Sequence, residues 1–186
     1  MVDIFLMGTV GSSNWRESFK AACIPLGIHY FDPVVPVWNE EAGKREVAAL
    51  RSAKIVVMAI LPESASIASL AESGWVALSA LKRKQSFGLY IDPAVELGSD
   101  AVSDSMEEAS TRARKLVVGH AAALKAQYPR LNLYLAPSLQ ELEKWAIQTA
   151  QRLNGQKQRK KAATSKRHKT PKTSAARKSN RPRQGK

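Results

Sequence analysis

The chain has 186 residues, enough for one domain of ordinary size with some length to spare. Its hydrophobic content of 44% supports a real core, and its single cysteine, Cys23, excludes an internal disulfide and fits a reducing compartment. The net charge of +13 is unevenly placed: residues 155–186 hold 13 Lys/Arg and no acid, so the body before them is formally neutral.

The first segment, "MVDIFLMGTV", has an acid at position 3 and no basic stretch ahead of its apolar run. It reads as a first strand and not as a signal peptide. The longest apolar run, "IVVMAIL", is too short to span a bilayer. These features predict a cytoplasmic protein without a membrane segment.

Two hydrophobic periods then alternate along residues 1–154. Short apolar runs at 3–8, 28–33, 54–60, 86–92 and 131–136 read as strands buried on both faces. Segments of helical spacing separate them, at 14–26, 39–52, 66–84, 104–127 and 138–153. Start signals mark several: Ser13 or Asn14 with Glu17 placed for a capping box, acids after Ser103, and Ser138 after Pro137. Strict alternation implies crossover connections. The predicted fold is a three-layer α/β domain, flavodoxin-like or Rossmann-like, with a five-stranded parallel sheet. The predicted domain is 1–154. Residues 155–186 carry no aromatic and almost no branched aliphatic residue, and are predicted to form a disordered Lys/Arg-rich tail.

Ligands of such sheets sit at the carboxyl ends of the strands. After strand 1, "MGTVGSSNWR" offers Gly8, Thr9, Gly11, Ser12 and Ser13 as an anion cradle, or equally a plain turn and N-cap. It lacks both GxGxxG and GxxxxGK[ST], which argues against dinucleotide and P-loop binding. After strand 2, Asp32 is placed to touch ligand hydroxyls, and Trp38 to stack on a base or sugar or simply to pack. Glu40, Glu41 and Glu46 open the next helix, where acids favour the dipole. After strand 3, Ser64, Ser66 and Ser69 crowd a helix start, and Glu72 follows as a lone acid in an apolar run. Asp92 ends strand 4, with a loop cap as its stronger reading. No His/Cys/Asp spacing resembles a metal site, and no cofactor is implied. Cys23 reads as a small core residue.

"IFLMGT", "NWR", "YFDPVVPVWNEE", "KREVAALRSAKIVVMAI" and "SLAESGWVAL" together resemble the nucleoside 2-deoxyribosyltransferase-like family, over about residues 3–92. The resemblance implies a flavodoxin-like domain that cleaves the N-glycosidic bond of a nucleoside or nucleotide, by transfer or hydrolysis. By the "SLAES" match it makes Glu72 the nucleophile that forms a covalent glycosyl-enzyme. It matches Glu46 to the acid that assists the leaving base, where Asp is more usual. It puts Ser66 where transferases commonly carry a sugar-binding Asp, and so points to a 5′-phosphate. It leaves Phe5 where a hydroxylated aromatic often orients the glutamate. It also implies a homo-oligomer. The basic tail adds an expected salt-dependent, sequence-independent contact with DNA or RNA, and with it a nucleoid or nucleic-acid association. The competing reading is an inactive nucleotide-binding or nucleic-acid-associated module.

Overall fold

The computed structural model describes residues 2–10, 13–97 and 101–167, and the side chains of 103–157 within the last stretch. Five strands form one parallel sheet: β1 (Ile4–Gly8), β2 (Tyr30–Phe31), β3 (Ile55–Ile60), β4 (Ser86–Ile91) and β5 (Leu133–Leu135). The strand order is β2-β1-β3-β4-β5. That is the flavodoxin-like order, with its switch point between β1 and β3. The helices are α1 (Trp15–Cys23), α2 (Glu40–Ser52), α3 (Ile67–Lys82), α4 (Ala101–Gln127) and α5 (Leu139–Arg167). A 3-10 turn, Ile24–Leu26, ends the segment predicted as one helix over 14–26, because Pro25 sits at its start and Gly27 closes it in the left-handed region.

The strands are buried because their sequences are apolar on both faces. All five residues of β1 and all six of β3 are buried. Phe5, Val56, Met58, Phe87 and Leu89 belong to one contiguous core. Gly88 lies where α5 crosses β4: a Cβ there would come within 2.3 Å of the Trp145 ring. Trp145 also stacks on Tyr134, with ring centroids 5.1 Å apart.

Several expected details differ. The Asn14 side chain makes no capping bond, and the first turn of α1 is closed by the backbone alone, Glu17 N–H donating to the Asn14 carbonyl at 2.9 Å. Glu17 instead pairs with Lys20. α2 is capped by Asn39, whose Oδ1 accepts from the Ala42 N–H at 2.8 Å. α5 runs to Arg167, so residues 155–167, predicted as tail, are helical. Their Gln, Lys, Arg and Ala are good helix formers and nothing in "QKQRKKAATSKR" breaks the turn. The rest of the predicted tail, 168–186, lies outside the described residues. Contacts divide the chain into a compact unit, Met1–Arg152, and a second unit, Leu153–Lys186.

Candidate functional site

The carboxyl edge of the sheet begins at Gly8. Its φ is +125°, and a Cβ there would lie 1.9 Å from the Ala59 carbonyl oxygen. Only glycine permits that approach of β1 to β3. The chain then turns, and Thr9 is buried with its Oγ1 accepting from the Leu61 N–H at 2.8 Å and sharing a 2.8 Å bond with Ser66 Oγ. The two hydroxyls thus join the ends of β1 and β3 at the switch point. Ser66 caps α3 in the left-handed region, φ 51° and ψ 33°. That costs a non-glycine residue about 1–2 kcal/mol, offset here by its bonds to Thr9 and by its N–H donating to Ser64 Oγ at 3.1 Å.

Below this turn lies Arg16, 4% exposed. Its two terminal nitrogens donate to the Thr9 carbonyl at 2.6 Å and the Gly8 carbonyl at 3.2 Å. Its Nε faces Asp32 Oδ1 at 3.3 Å as a charge contact outside hydrogen-bonding geometry. Its guanidinium lies 4.5 Å from the Trp15 ring centroid, and Trp15 Nε1 also donates to the Thr9 carbonyl. Burial lowers the Arg16 pKa and the Asp32 charge opposes that shift. Asp32 binds Lys20 at 2.6 Å and accepts from the Val34 N–H at 3.1 Å. The hydrogen bond to Asp32, and then the one to Glu17, raises the Lys20 pKa. Asp32 is therefore held by two cations beside a polar cleft of about 370 Å³ that they line together.

A cleft of about 290 Å³ lies over the switch point. Gly8, Trp38, Glu46, Ser69 and Glu72 all line it, with Val10, Val34 and Arg16. It brings together residues from the ends of β1, the β2–α2 loop, α2 and α3. Trp38 is 69% exposed, and its ring edge lies against the Cα of Gly43 on α2, where a Cβ would come within 3.0 Å. Glu72 is exposed on α3, five residues after the first helical residue; Glu46 is half-buried on α2. Burial is the main cause that raises the Glu46 pKa, and the nearby charge of Glu72 adds to it. No salt bridge or hydrogen bond engages either carboxylate among the described residues. Glu46 thus keeps its proton to a higher pH than a free carboxyl would, beside a second acid that is open to solvent.

Of the residues singled out in the sequence, five line this cleft: Gly8, Trp38, Glu46, Ser69 and Glu72. Thr9 and Ser66 do not line it and are hydrogen-bonded to each other. Asp32 lies in the neighbouring cleft. Ser12 and Gly11 fall outside the described residues. Phe5 is fully buried and stacks on Phe31 at 5.5 Å between centroids. The Cys23 thiol is buried, and burial pushes its pKa up to about 11, which fits a core residue. Among the described residues no group of His, Cys, Asp and Glu could hold a metal ion, and no helix is long and apolar enough to cross a membrane.

Sequence reasoning assigned no role to Arg16 or to Arg114. Arg114 is 1% exposed and donates to three carbonyls at the ends of β3 and β4. A signal was present in each case. Arg16 directly follows the aromatic of "NWR". Arg114 falls on the inward stripe of α4, in step with Ser110, Val117, Ala121 and Leu124.

A doubly wound parallel domain with two carboxylates over its switch point defines an α/β protein with an acidic cleft at the carboxyl edge of its sheet. Within that class, residues 1–88 match the family model described as nucleoside 2-deoxyribosyltransferase like. The resemblance carried by "IFLMGT", "PVVPVW" and "SLAESGWVAL" is thereby borne out over that span, which contains every residue lining the cleft. No curated protein matches the chain.

Proposed function

We propose that this protein cleaves the N-glycosidic bond of a (deoxy)nucleoside or nucleoside 5′-monophosphate through a covalent glycosyl-glutamate. The observation that carries the reading is the single cleft shared by Glu46 and Glu72, with Glu46 raised toward its protonated form. A Glu72 carboxylate oxygen attacks the anomeric carbon as the bond from that carbon to the base nitrogen breaks. The bonding electron pair leaves with the base, and Glu46 delivers a proton to it. The glycosyl ester then loses its sugar to water or to a second base, whose proton returns to Glu46. Trp38 stacks on the leaving base. Gly8 and Thr9 shape the floor of the cleft, and Asp32 approaches the sugar side from its Arg16 and Lys20 pairing. A 5′-phosphate is received at the first turn of α3, where Ser69 faces the cleft and Ser66 sets the backbone.

The test is a panel of deoxynucleosides and their monophosphates, with and without an acceptor base, followed by chromatography of free base. Release that Glu72→Gln abolishes supports the reading; no release, or undiminished release by that variant, sinks it. Release that requires the acceptor means transfer, and release in water alone means hydrolysis. Loss of monophosphate preference in Ser66→Ala supports the phosphate assignment, and an unchanged preference removes it.

The same reading gives the basic residues 155–186 a non-specific contact with DNA or RNA, placing a cytoplasmic enzyme near nucleic acid. Replacing the Lys and Arg of this stretch by Gln must then remove salt-dependent DNA binding; unchanged affinity would refute it. A homo-oligomer is part of the proposal, and a monomeric mass in solution would refute that part.

A further inference from the structure

The residue to explain is Arg114, the largest side chain in the fully buried set. It sits on α4, far along the chain from the cleft, and lies beyond the stretch that the family model matches. All its hydrogen-bond partners are neutral, and burial outweighs the nearby Asp92 and Glu63 charges, so its pKa is lowered. Nη1 donates to the Asp92 carbonyl at 2.7 Å, Nη2 to the Leu61 and Ser64 carbonyls at 2.8 and 2.7 Å, and Nε to Ser110 Oγ at 3.1 Å. Ser110, one turn earlier and fully buried, passes the contact on by donating to the Ala65 carbonyl at 2.8 Å. Two side chains of α4 therefore hold Leu61, Ser64, Ala65 and Asp92, the ends of β3 and β4 and the loop between β3 and α3.

That arrangement is costly as a source of stability. A guanidinium removed from water toward neutral acceptors is disfavoured relative to an apolar residue of similar volume. Geometry is what it supplies. Carbonyls 61, 64 and 65 are turned inward toward α4, and the next residue is the left-handed Ser66, fixed to Thr9 on the opposite side. α3 starts immediately afterwards, with Ser69 in its first turn and Glu72 in its second. The start of α3 is thus gripped between α4 and β1. Glu46, on α2, has no part in that grip.

We propose that Arg114, seconded by Ser110, is a positioning residue that sets the place of Glu72 relative to Glu46 by fixing the loop 61–66. The inference rests on Glu72 being the reacting carboxylate. None of the hydrogen-bond partners of Arg114 lines the cleft, so it acts through the backbone that leads into α3. A displacement of a reacting group by about 1 Å lowers a rate by about 10²-fold while binding of the rest of the substrate survives.

The experiment compares full-length wild type with Ser110→Ala, Arg114→Lys and Arg114→Met. Two readouts are taken: kcat and KM for base release, and the titration of the Glu46 carboxyl by carbon NMR, with Glu72→Gln as reference. The expected result is a kcat lowered about 10²-fold in Arg114→Met with KM within about threefold, and a partial recovery in Arg114→Lys. The Glu46 titration should move down toward its position in Glu72→Gln. If Arg114→Met does not fold, Ser110→Ala carries the same expectation with a smaller loss. A Glu46 titration unchanged in every folded variant overturns the proposal, as does a loss confined to KM. If wild type releases no base at all, the functional reading fails by that result alone, and the NMR arm still decides whether Arg114 sets the carboxylate pair.

Discussion

At the amino edge of the sheet, Asp3 is buried and meets Lys54 at 2.5 Å, while its second oxygen accepts from the His29 N–H at 3.0 Å. Beside it, Gln85 donates to the Leu50 and Ala53 carbonyls and closes the end of α2. At the carboxyl edge the cations are used differently. Arg16 and Arg114 donate to backbone carbonyls, while Glu46 and Glu72 face a common cleft with no cation bonded to either. The first edge neutralises its charges and the second keeps two like charges together. A fold gains nothing in stability from the second arrangement, and it is this second edge that the proposed function uses.

Substitutions can break this contrast, and the largest effect belongs to Glu72. Glu72→Gln should lower base release by about 10⁴-fold or more, as expected for loss of a nucleophile, with the fold intact by circular dichroism. Next comes Gly8→Ala, whose methyl would collide with the Ala59 carbonyl in a left-sided backbone. Denaturant unfolding should show a loss of about 3 kcal/mol or more. Lys54→Met removes the partner of a buried carboxylate at the other edge. It should cost about 2 kcal/mol and leave KM for the cleft unchanged; a changed KM would show that the two edges are not independent.

The smallest effect is also the one with a sign to check. Glu46 binds its proton more tightly folded than unfolded, because burial and Glu72 raise its pKa. Its contribution to stability is therefore full below the ordinary carboxylate range and is lost as pH rises through the raised value. Glu46→Gln should stabilise the protein at neutral pH by about 0.5 kcal/mol or less, since water reaches the cleft. Urea titrations at pH 7 and pH 3.5 should show that gain at the higher pH only. For the same reason, base release assisted by protonated Glu46 should decline on the alkaline side of its titration.

Much of this was legible along the chain. The five strands stand out because they are apolar on both faces, and their alternation with helical spacing implied the parallel sheet. Glu72 stood out because an acid in an apolar helix asks for a reason. What local pattern could not show is where a hydroxyl or a cation goes after folding. Ser66 looks like an ordinary cap, yet it turns left-handed to meet Thr9, 57 positions earlier. Asp32 looks like a free acid at a strand end until Arg16 and Lys20 come round from α1. Arg114 acts over 50 residues on Ser64, a distance no motif spans. α5 runs on from the helix expected at 138–153 to Arg167, nearly four turns further, because composition signals disorder where helix propensity still favours the helix.

Trp38 has one more consequence. Its indole is largely bare to water in the cleft lining, as is that of Trp75 on α3 outside it, while Trp15 is buried and Trp145 lies half-covered against Gly88. Anything that settles over Glu46 and Glu72 must dry the Trp38 ring and shift its emission to the blue, and in a Trp75→Phe background no other strongly exposed tryptophan masks that shift. The protein thus carries its own optical gauge of occupancy, which can be read before a bond is broken and in variants that cannot break one.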